Sequence, residues 1–374
     1  MRVLISCGGT GGHINPGLAI ADIIKSKYPD TEFLFAGTPN GMESKLVPQA
    51  GYKIEPIKVA GFQRSLSFEN IGRNAKAIAY LITSGKRAKE IIKGFNPDIA
   101  IGTGGYAAGP VIRKAARMGI PTTIHEQNAY PGVTNRLLSK EVDYVMLTVK
   151  EALDFMDKSK FRHSVTGLPV RSSINNKLTK AEARKKLGFN DDFTILSFGG
   201  SLGAGCINET MTEAIKWHQS KGLAINHIHG YGGMGKDTFP QAMKAAGIPL
   251  KSNRLRITEY ITDMDVCLAA ADLVVCRSGA STLAELEAAG KASILIPSPI
   301  VAGNHQYHNA MALVNNGAAV IIEEKDLTGD RLLTEINKLI SDREKLKEIG
   351  SNAKKMATLN AKEQIADIVL SLIK

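Results

Sequence analysis

Two stretches far apart in this chain open in the same way. VLISCGGTGGHIN (Val3–Asn15) and ILSFGGSLGAGCIN (Ile195–Asn208) each run a hydrophobic strand into a double Gly, a hydroxyl and more Gly. Both then enter a helix whose first turn ends at Ile-Asn. A buried strand, a tight turn and a helix form the opening unit of a parallel sheet covered by helices. The chain opens such a unit twice, so it is expected to form two similar doubly wound α/β domains facing each other. Its 374 residues also exceed what one ordinary core holds.

The rest of the pattern agrees. In the first half, strands are predicted at Arg2–Cys7, Glu32–Ala36, Lys53–Val59, Ile99–Ile101, Thr122–His125 and Tyr144–Thr148, with a short one near Val165. The first helix is predicted from about Pro16 to Lys27, with Pro near its first turn. In the second half, strands are predicted at Phe193–Phe198, Ala224–His229, Leu255–Glu259, Leu273–Cys276, Ser293–Ile296 and Ala319–Ile322, and a helix over Cys206–Lys216. TGLPVRSS (Thr166–Ser173) breaks the periodicity, which places one domain at 1–166 and the other at 167–357. The last helix, Ala361–Ile373, has no strand after it, and the segment 358–374 is expected to fold back on the first domain.

Leu273–Gly290, LVVCRSGASTLAELEAAG, concentrates polar groups at one such turn. The first N–H groups of a helix have no intrahelical partner, so a helix following a buried strand makes an anion site, and Arg277 stands beside this one. Thr282 and Glu285 also fit an S/T-x-x-E capping box, which needs no ligand. Alternatively, Glu285 accepts hydrogen bonds from a ribose, as acids do in dinucleotide sites. Phosphate on the helix end and ribose on Glu285 would together describe a nucleotide diphosphate.

Other motifs mostly exclude. GGTGGH (Gly8–His13) lets a ligand approach the backbone, yet Ile14 replaces the last Gly of the dinucleotide fingerprint. The second strand ends at Gly37 without the acid that holds a ribose, so NAD is not expected. Gly230–Lys236 resembles a phosphate-binding loop until Asp237, and reads as a flexible loop. His125-Glu126 opens H-E-x-x-A, which fails as a zinc-protease motif at Ala129. His305 and His308 lack a third ligand nearby, so no metal is expected. His125, Glu126 and Asn128 instead fall where a strand ends, the edge at which α/β sheets bind ligands.

A hydrophobic content of 44% with 22% charged residues fits a soluble globular protein. Cys7, Cys206, Cys267 and Cys276 are scattered and read as reduced thiols of a cytoplasmic protein. MRVLISCGG runs straight into a strand, so no signal peptide is expected, and no apolar run approaches the ~18 residues of a membrane helix. The net charge of +11 is uneven. Lys58, Arg64, Arg73, Lys76, Lys86, Arg87, Lys89 and Lys93 face only Glu69 and Glu90. Within Ser65–Lys93, Leu66, Phe68, Ile71, Ala75, Ile78, Leu81 and Ile82 recur at helical spacing. A helix packed on the sheet explains most of those apolar positions. A solvated face is the ordinary reading of such a cation cluster, and an anionic membrane surface, which the ring of cations suits, is placed ahead of it. No nucleic acid is expected as a partner.

GGTGGHINPGLAIA, TGGYAAGPV, HEQNAYPGVTNRLL, GGSLGA, CRSGAST-LAE and NHQYHNA follow one another almost end to end, and together the chain resembles the MurG family of peptidoglycan glycosyltransferases. The resemblance implies two Rossmann-like domains across a cleft, the GT-B architecture. It implies inverting transfer of N-acetylglucosamine from UDP-N-acetylglucosamine to the 4-hydroxyl of the muramyl sugar of lipid I. Lipid II would be made on the cytoplasmic face of the membrane, with no cofactor and with anionic inner-leaflet lipids as the docking partner. For the donor it implies Arg171, Ser201, Ile261, Ala280, Ser281, Thr282, Leu283, Ala284, Glu285 and Gln306. For the other side of the cleft it implies Thr10, Gly11, Gly12 and Asn128. Tyr106, His125, Glu126, Asn135, Asn208 and Arg277 match further motif positions, whereas Leu168, Ser281 and His305 depart from the commonest pattern. The helix ends at Thr282 and after Ser201, with Arg171 or Arg277, would stabilise the leaving diphosphate without a metal. His13 is the better-placed base for the acceptor hydroxyl, with Glu126 as the alternative. A UDP-sugar 2-epimerase and a non-catalytic nucleotide-sugar binder are the competing readings.

Overall fold

The computed structural model describes residues 1–59, 83–170, 174 and 178–373. It divides into two compact units, Met1–Pro169 with Thr358–Lys374, and Val170–Ala357.

The first unit contains β1 (Arg2–Cys7), α1 (Gly11–Lys27), β2 (Glu32–Gly37), α2 (Glu43–Gln49) and β3 (Lys53–Pro56). Helix α3, described over 83–95, is followed by β4 (Ile99–Gly104), α4 (Ala108–Arg117), β5 (Thr122–Glu126), α5 (Val133–Leu138), β6 (Tyr144–Leu147) and β7 (Arg162–Val165). All seven strands run parallel in the order β3-β2-β1-β4-β5-β6-β7. Strands covered on both faces must be apolar throughout, and Val3, Leu4, Ile5 and Cys7 are all 0% exposed. Strand order reverses between β1 and β4, where α/β sheets leave a crevice at their carboxyl edge.

The second unit contains α6 (Lys180–Leu187), β8 (Phe193–Phe198), α7 (Gly205–Ser220), β9 (Ile225–Gly230), α8 (Phe239–Ala245) and β10 (Leu255–Thr258). α9 (Met264–Ala270), β11 (Leu273–Cys276), α10 (Ala280–Ala289), β12 (Ala292–Leu295), α11 (His305–Val314), β13 (Val320–Ile321), α12 (Gly329–Ser341) and α13 (Arg343–Met356) follow. Its parallel sheet, β10-β9-β8-β11-β12-β13, has the same order, with the reversal between β8 and β11. Cys276 pairs with Phe198, so the two Gly-containing turns leave the sheet side by side.

Helix α14 (Ala361–Leu372) belongs to the first unit. Its Ile365 and Val369 are buried with Ile14, Ile20 and Ile24 of α1. The chain's return is fitted at Gly167, whose φ of +71° suits glycine and where a Cβ would lie 2.5 Å from that of Thr358.

Several boundaries move. α1 begins at Gly11, so Pro16 lies inside it and leaves the Gly12 carbonyl without its helical donor. α7 starts at Gly205 and runs to Ser220. The stretch Gly230–Lys236 is no loose loop. Gly232 packs against Gly203, and Asn208 Nδ2 donates to the Tyr231 carbonyl at 3.0 Å. Of the basic stretch Ser65–Lys93, positions 65–82 lie outside the described residues. In α3, Ala88, Ile91 and Ile92 are buried while Lys86, Lys89 and Lys93 are exposed. Arg87 pairs with Glu55 at 2.5 Å and Glu90 at 3.6 Å, so its charge is already compensated. Among the described residues, no helix is long and apolar enough to cross a membrane.

Candidate active site

In the second unit the turn after β11 places α10 at the switch point. Gly279 is its N-cap, so Thr282 is the third helical residue and cannot cap. The capping-box expectation for Thr282 and Glu285 is therefore overturned. No side chain caps this helix and its first turn holds no acid, which leaves the amides of Ala280, Ser281 and Thr282 directed at the turn. Glu285 lies half-buried on the next turn. Leu283 and Ala284 are buried at 5% and 8% exposure, and Ile261 at 5%, so what they can offer a ligand is chiefly backbone and shape.

Arg277 corrects a second expectation. Its Nη2 lies 2.5 Å from Glu324 Oε2, and Nη1 donates to the Ile296 carbonyl at 3.1 Å. A guanidinium neutralised in this way ties β11 to the turn beside β13 and is a poor phosphate clamp. The turn is braced further by Ser278, whose hydroxyl donates to the Gln306 carbonyl at 2.8 Å. Asn309 Nδ2 donates to the Ser278 carbonyl at 3.2 Å, and Gln306 Oε1 accepts from the Ser298 amide at 2.9 Å. Gln306 thus shapes the loop before α11 through its side chain. Ser201 sits exposed at the tip of the turn before α7, a helix that also lacks a side-chain cap and a first-turn acid. Arg171 lies outside the described residues.

In the first unit Thr10 is the N-cap of α1, and Gly11, Gly12 and His13 form its first turn. Again no side chain caps the helix. Thr103 Oγ1 donates to the His13 carbonyl at 2.7 Å and holds that turn against β4. The His13 ring lies over Gly104, where a Cβ would meet Nδ1 at 2.7 Å. A buried acid that sequence reasoning missed lies beneath the Gly-rich turn. Glu43 is 0% exposed and accepts from the Gly9 amide at 3.2 Å and from Thr38 N at 2.8 Å. That carboxylate satisfies a donor that a phosphate would otherwise claim. It also joins burial, the larger cause, in pushing the Cys7 thiol up to about 12.

The HEQN segment ends β5 beside this turn. Glu126 is 0% exposed. Its Oε1 accepts from Asn128 N at 2.9 Å and Asn128 Nδ2 at 3.2 Å, and its Oε2 from Gly132 N at 3.0 Å and Asn135 Nδ2 at 2.9 Å. A buried carboxylate whose two oxygens already accept four hydrogen bonds is committed as a loop clamp. The geometry therefore turns Glu126 from alternative base to anchor, and Asn128 is set by it. His125 is 0% exposed, and burial holds its imidazole below the usual histidine range against the opposing pull of the Gly167 carbonyl and Glu126. Gln127, another residue the sequence reading passed over, reaches His13 Nδ1 with Oε1 at 3.0 Å. Neither Glu43 nor Gln127 carries a periodic signal; only the polar residue at the end of an apolar strand marks the second.

Among the described residues, no group of three or more His, Cys, Asp or Glu side chains has an arrangement fit to hold a metal ion. The three buried thiols, Cys7, Cys267 and Cys276, are all pushed upward by burial and are not nucleophiles.

The chain matches the glycosyltransferase family 28 N-terminal domain over residues 3–147 and the corresponding C-terminal domain over residues 194–366. It is 49% identical to the UDP-N-acetylglucosamine–N-acetylmuramyl-(pentapeptide) pyrophosphoryl-undecaprenol N-acetylglucosamine transferase of Acetivibrio thermocellus, covering 100% of this chain and 99% of that one. The enzyme of the same name from Bacillus cytotoxicus is 40% identical over 100% of both chains. Among solved structures, Acinetobacter baumannii MurG superposes with a TM-score of 0.79 at 29% identity, covering 99% of each chain. The glycosyltransferase of kitacinnamycin, at 16% identity and a TM-score of 0.70 over 100% of this chain and 99% of its own, shares the fold alone. Two Gly-rich switch points and full-length identity to named transferases converge, and the chain belongs to the MurG family of glycosyltransferases.

Proposed function

We propose that this chain transfers N-acetylglucosamine from UDP-N-acetylglucosamine to the 4-hydroxyl of the muramyl sugar of lipid I, forming lipid II with inversion of the anomeric centre. The observation that carries the reading is identity of 40–49% along the whole chain to transferases of that name. The donor belongs with the second unit. As the glycosidic bond breaks, negative charge grows on the diphosphate. The uncapped amides of Ala280, Ser281 and Thr282, with the end of α7 after Ser201, are arranged to meet it. Glu285 takes the ribose hydroxyls, while Ile261, Leu283 and Ala284 shape the pocket and Gln306 holds its rim. Arg171 adds a cation on this reading, and Arg277 acts by bracing the turn.

The acceptor belongs with the first unit. Thr10, Gly11, Gly12 and Asn128 line its site, and His13 Nε2 takes the proton of the acceptor hydroxyl as the new bond forms. An imidazole nitrogen without a proton can accept one, and direct attack on the sugar carbon inverts it in one displacement. The exposed cations of α3 and the apolar stretch before them dock the enzyme on the anionic cytoplasmic leaflet, where a lipid-linked acceptor resides.

Radiolabelled UDP-N-acetylglucosamine incubated with a short-chain lipid I analogue tests the reaction. Label should pass to the lipid only when acceptor is present. Conversion of the nucleotide sugar to its 2-epimer without acceptor would favour the epimerase, and chemically unchanged donor would favour a binding protein.

A further inference from the structure

The hydrogen bonds around His13 define which of its nitrogens carries the proton. Gln127 Nε2 lies 2.8 Å from the carbonyl oxygen of His125. A carbonyl only accepts, so this contact fixes the amide with Nε2 inward and Oε1 toward His13 Nδ1, 3.0 Å away. An amide oxygen also only accepts, which places a proton on His13 Nδ1. Gln127 Nε2 carries a second hydrogen, and His125 Nδ1 is 3.1 Å from it. His125 Nδ1 must therefore be bare and its Nε2 protonated, and that Nε2 does lie 3.0 Å from the Gly167 carbonyl, again a pure acceptor. Two carbonyls, that of His125 on Gln127 and that of Gly167 on the far side of the His125 ring, demand the same assignment.

From this we infer that Gln127 and His125 are positioning residues that hold His13 in the Nδ1–H tautomer and aim its bare Nε2 outward as the proton acceptor. The inference rests on His13 being the base. Free imidazole prefers the opposite tautomer, with the proton on Nε2, in which the outward nitrogen cannot take a proton. Gln127 is 2% exposed and His125 0%, so both hydrogen-bonding ends of the relay are dry and an unmatched partner is penalised. Among the described residues, His13 Nε2 has no hydrogen-bond partner, as an acceptor-facing base requires. Gly104 contributes by leaving space for the ring, since a side chain there would occupy the position of Nδ1.

The test has two parts. In the 15N-histidine-labelled full chain at pH 8, long-range proton–nitrogen spectra should show His13 protonated on Nδ1 and bare on Nε2, and His125 the reverse. A proton on His13 Nε2 in the parent protein overturns the inference without any variant. Gln127→Met keeps length and apolar volume but removes both contacts. It should leave donor KM within about twofold, lower kcat roughly tenfold or more, and shift His13 toward the Nε2–H form. A Gln127→Met protein with parental kcat overturns the inference even if the parent's tautomers are as described. Should His13→Ala retain parental turnover, the base reading itself fails, an outcome separate from either tautomer result.

Discussion

At the scale of single residues, the arrangement assigns different work to groups that a motif search lists together. His13 is half-buried with Nδ1 held by Gln127 and no hydrogen-bond partner on Nε2 among the described residues, whereas Glu126, its rival, is consumed by four donors. His13→Ala should therefore lower kcat by roughly 10²–10⁴ while donor affinity changes little, measured by single-turnover kinetics and by titration of the nucleotide sugar. Normal turnover at saturating acceptor would remove His13 from the mechanism. Glu285 gives a cleaner case than its sequence suggested. Because Gly279 caps α10, Glu285→Gln disturbs no capping box. Donor KM should rise about tenfold, the scale of one lost charge-assisted contact, with stability changed by less than about 0.5 kcal/mol. Equal donor KM would end the ribose role. His13 could be singled out as a candidate because a Gly-rich turn into a helix announces itself in the chain. Gln127 and Glu43 were not, since a buried polar side chain is defined by partners distant in sequence: Gly9 for Glu43, and His13 for Gln127.

Elements carry the next layer. The segment Glu126–Asn135 is a loop and helix start folded around one carboxylate. Glu126→Gln would set an amide nitrogen against two of the donors that the carboxylate now accepts. A destabilisation of about 1–3 kcal/mol follows, equivalent to some 2–4 °C of melting temperature per kcal/mol, and kcat should fall without displacement of its pH profile. Loss of the acidic limb of that profile with unchanged melting would restore Glu126 as the base. Strand β9 stores a different response. His227 and His229 are buried on it; Ser197 and Asn208 hold His229 through contacts of 2.8 Å and 3.1 Å, and burial holds its pKa down to about 3. His227 is likewise held well below the usual range, by burial first and then by the neighbouring His218 and His229. In the unfolded chain these imidazoles bind protons near pH 6.5, so the unfolded state gains protons that the folded state refuses. Stability is thus complete above about pH 6.5 and falls as pH drops toward the folded values, by about 1.4 kcal/mol per pH unit for each group. Urea midpoints between pH 7 and 5 should show this decline, and His229→Gln should reduce its slope by about one proton. An unchanged slope would mean that acid reaches the folded histidines. Strand identities were readable because apolar runs between Gly and Pro are local signals. Helix starts were misplaced at Pro16 and Thr282, where residues that usually begin or cap a helix sit inside one that the Gly-rich turn had already begun.

For the whole molecule, the repeat of strand, Gly-rich turn and helix was enough to give two sheets of the same strand order, because a right-handed parallel crossover admits few alternatives. What it leaves open is where the molecule works, and the proposed docking on an anionic leaflet is testable at α3. The helix buries Ala88, Ile91 and Ile92 and exposes Lys86, Lys89 and Lys93, while Arg87 is neutralised by Glu55 and Glu90. Within α3 it is therefore the three lysines, and not Arg87, that are able to meet an anionic surface. Each cation near such a leaflet contributes about 1 kcal/mol, and the effect fades within a Debye length of ~8–10 Å. Reversing all three to Glu removes that attraction and adds repulsion, so affinity for vesicles rich in anionic lipid should fall by at least about 100-fold. The buried face is untouched, so far-ultraviolet dichroism and melting should match the parent. Turnover on a water-soluble, short-chain acceptor should also match it, whereas turnover on acceptor embedded in anionic vesicles should fall with binding. Parental vesicle affinity in the triple variant would reduce the lysines to a solvated face. A loss on both acceptors alike would assign these cations to the acceptor's pyrophosphate and not to the membrane.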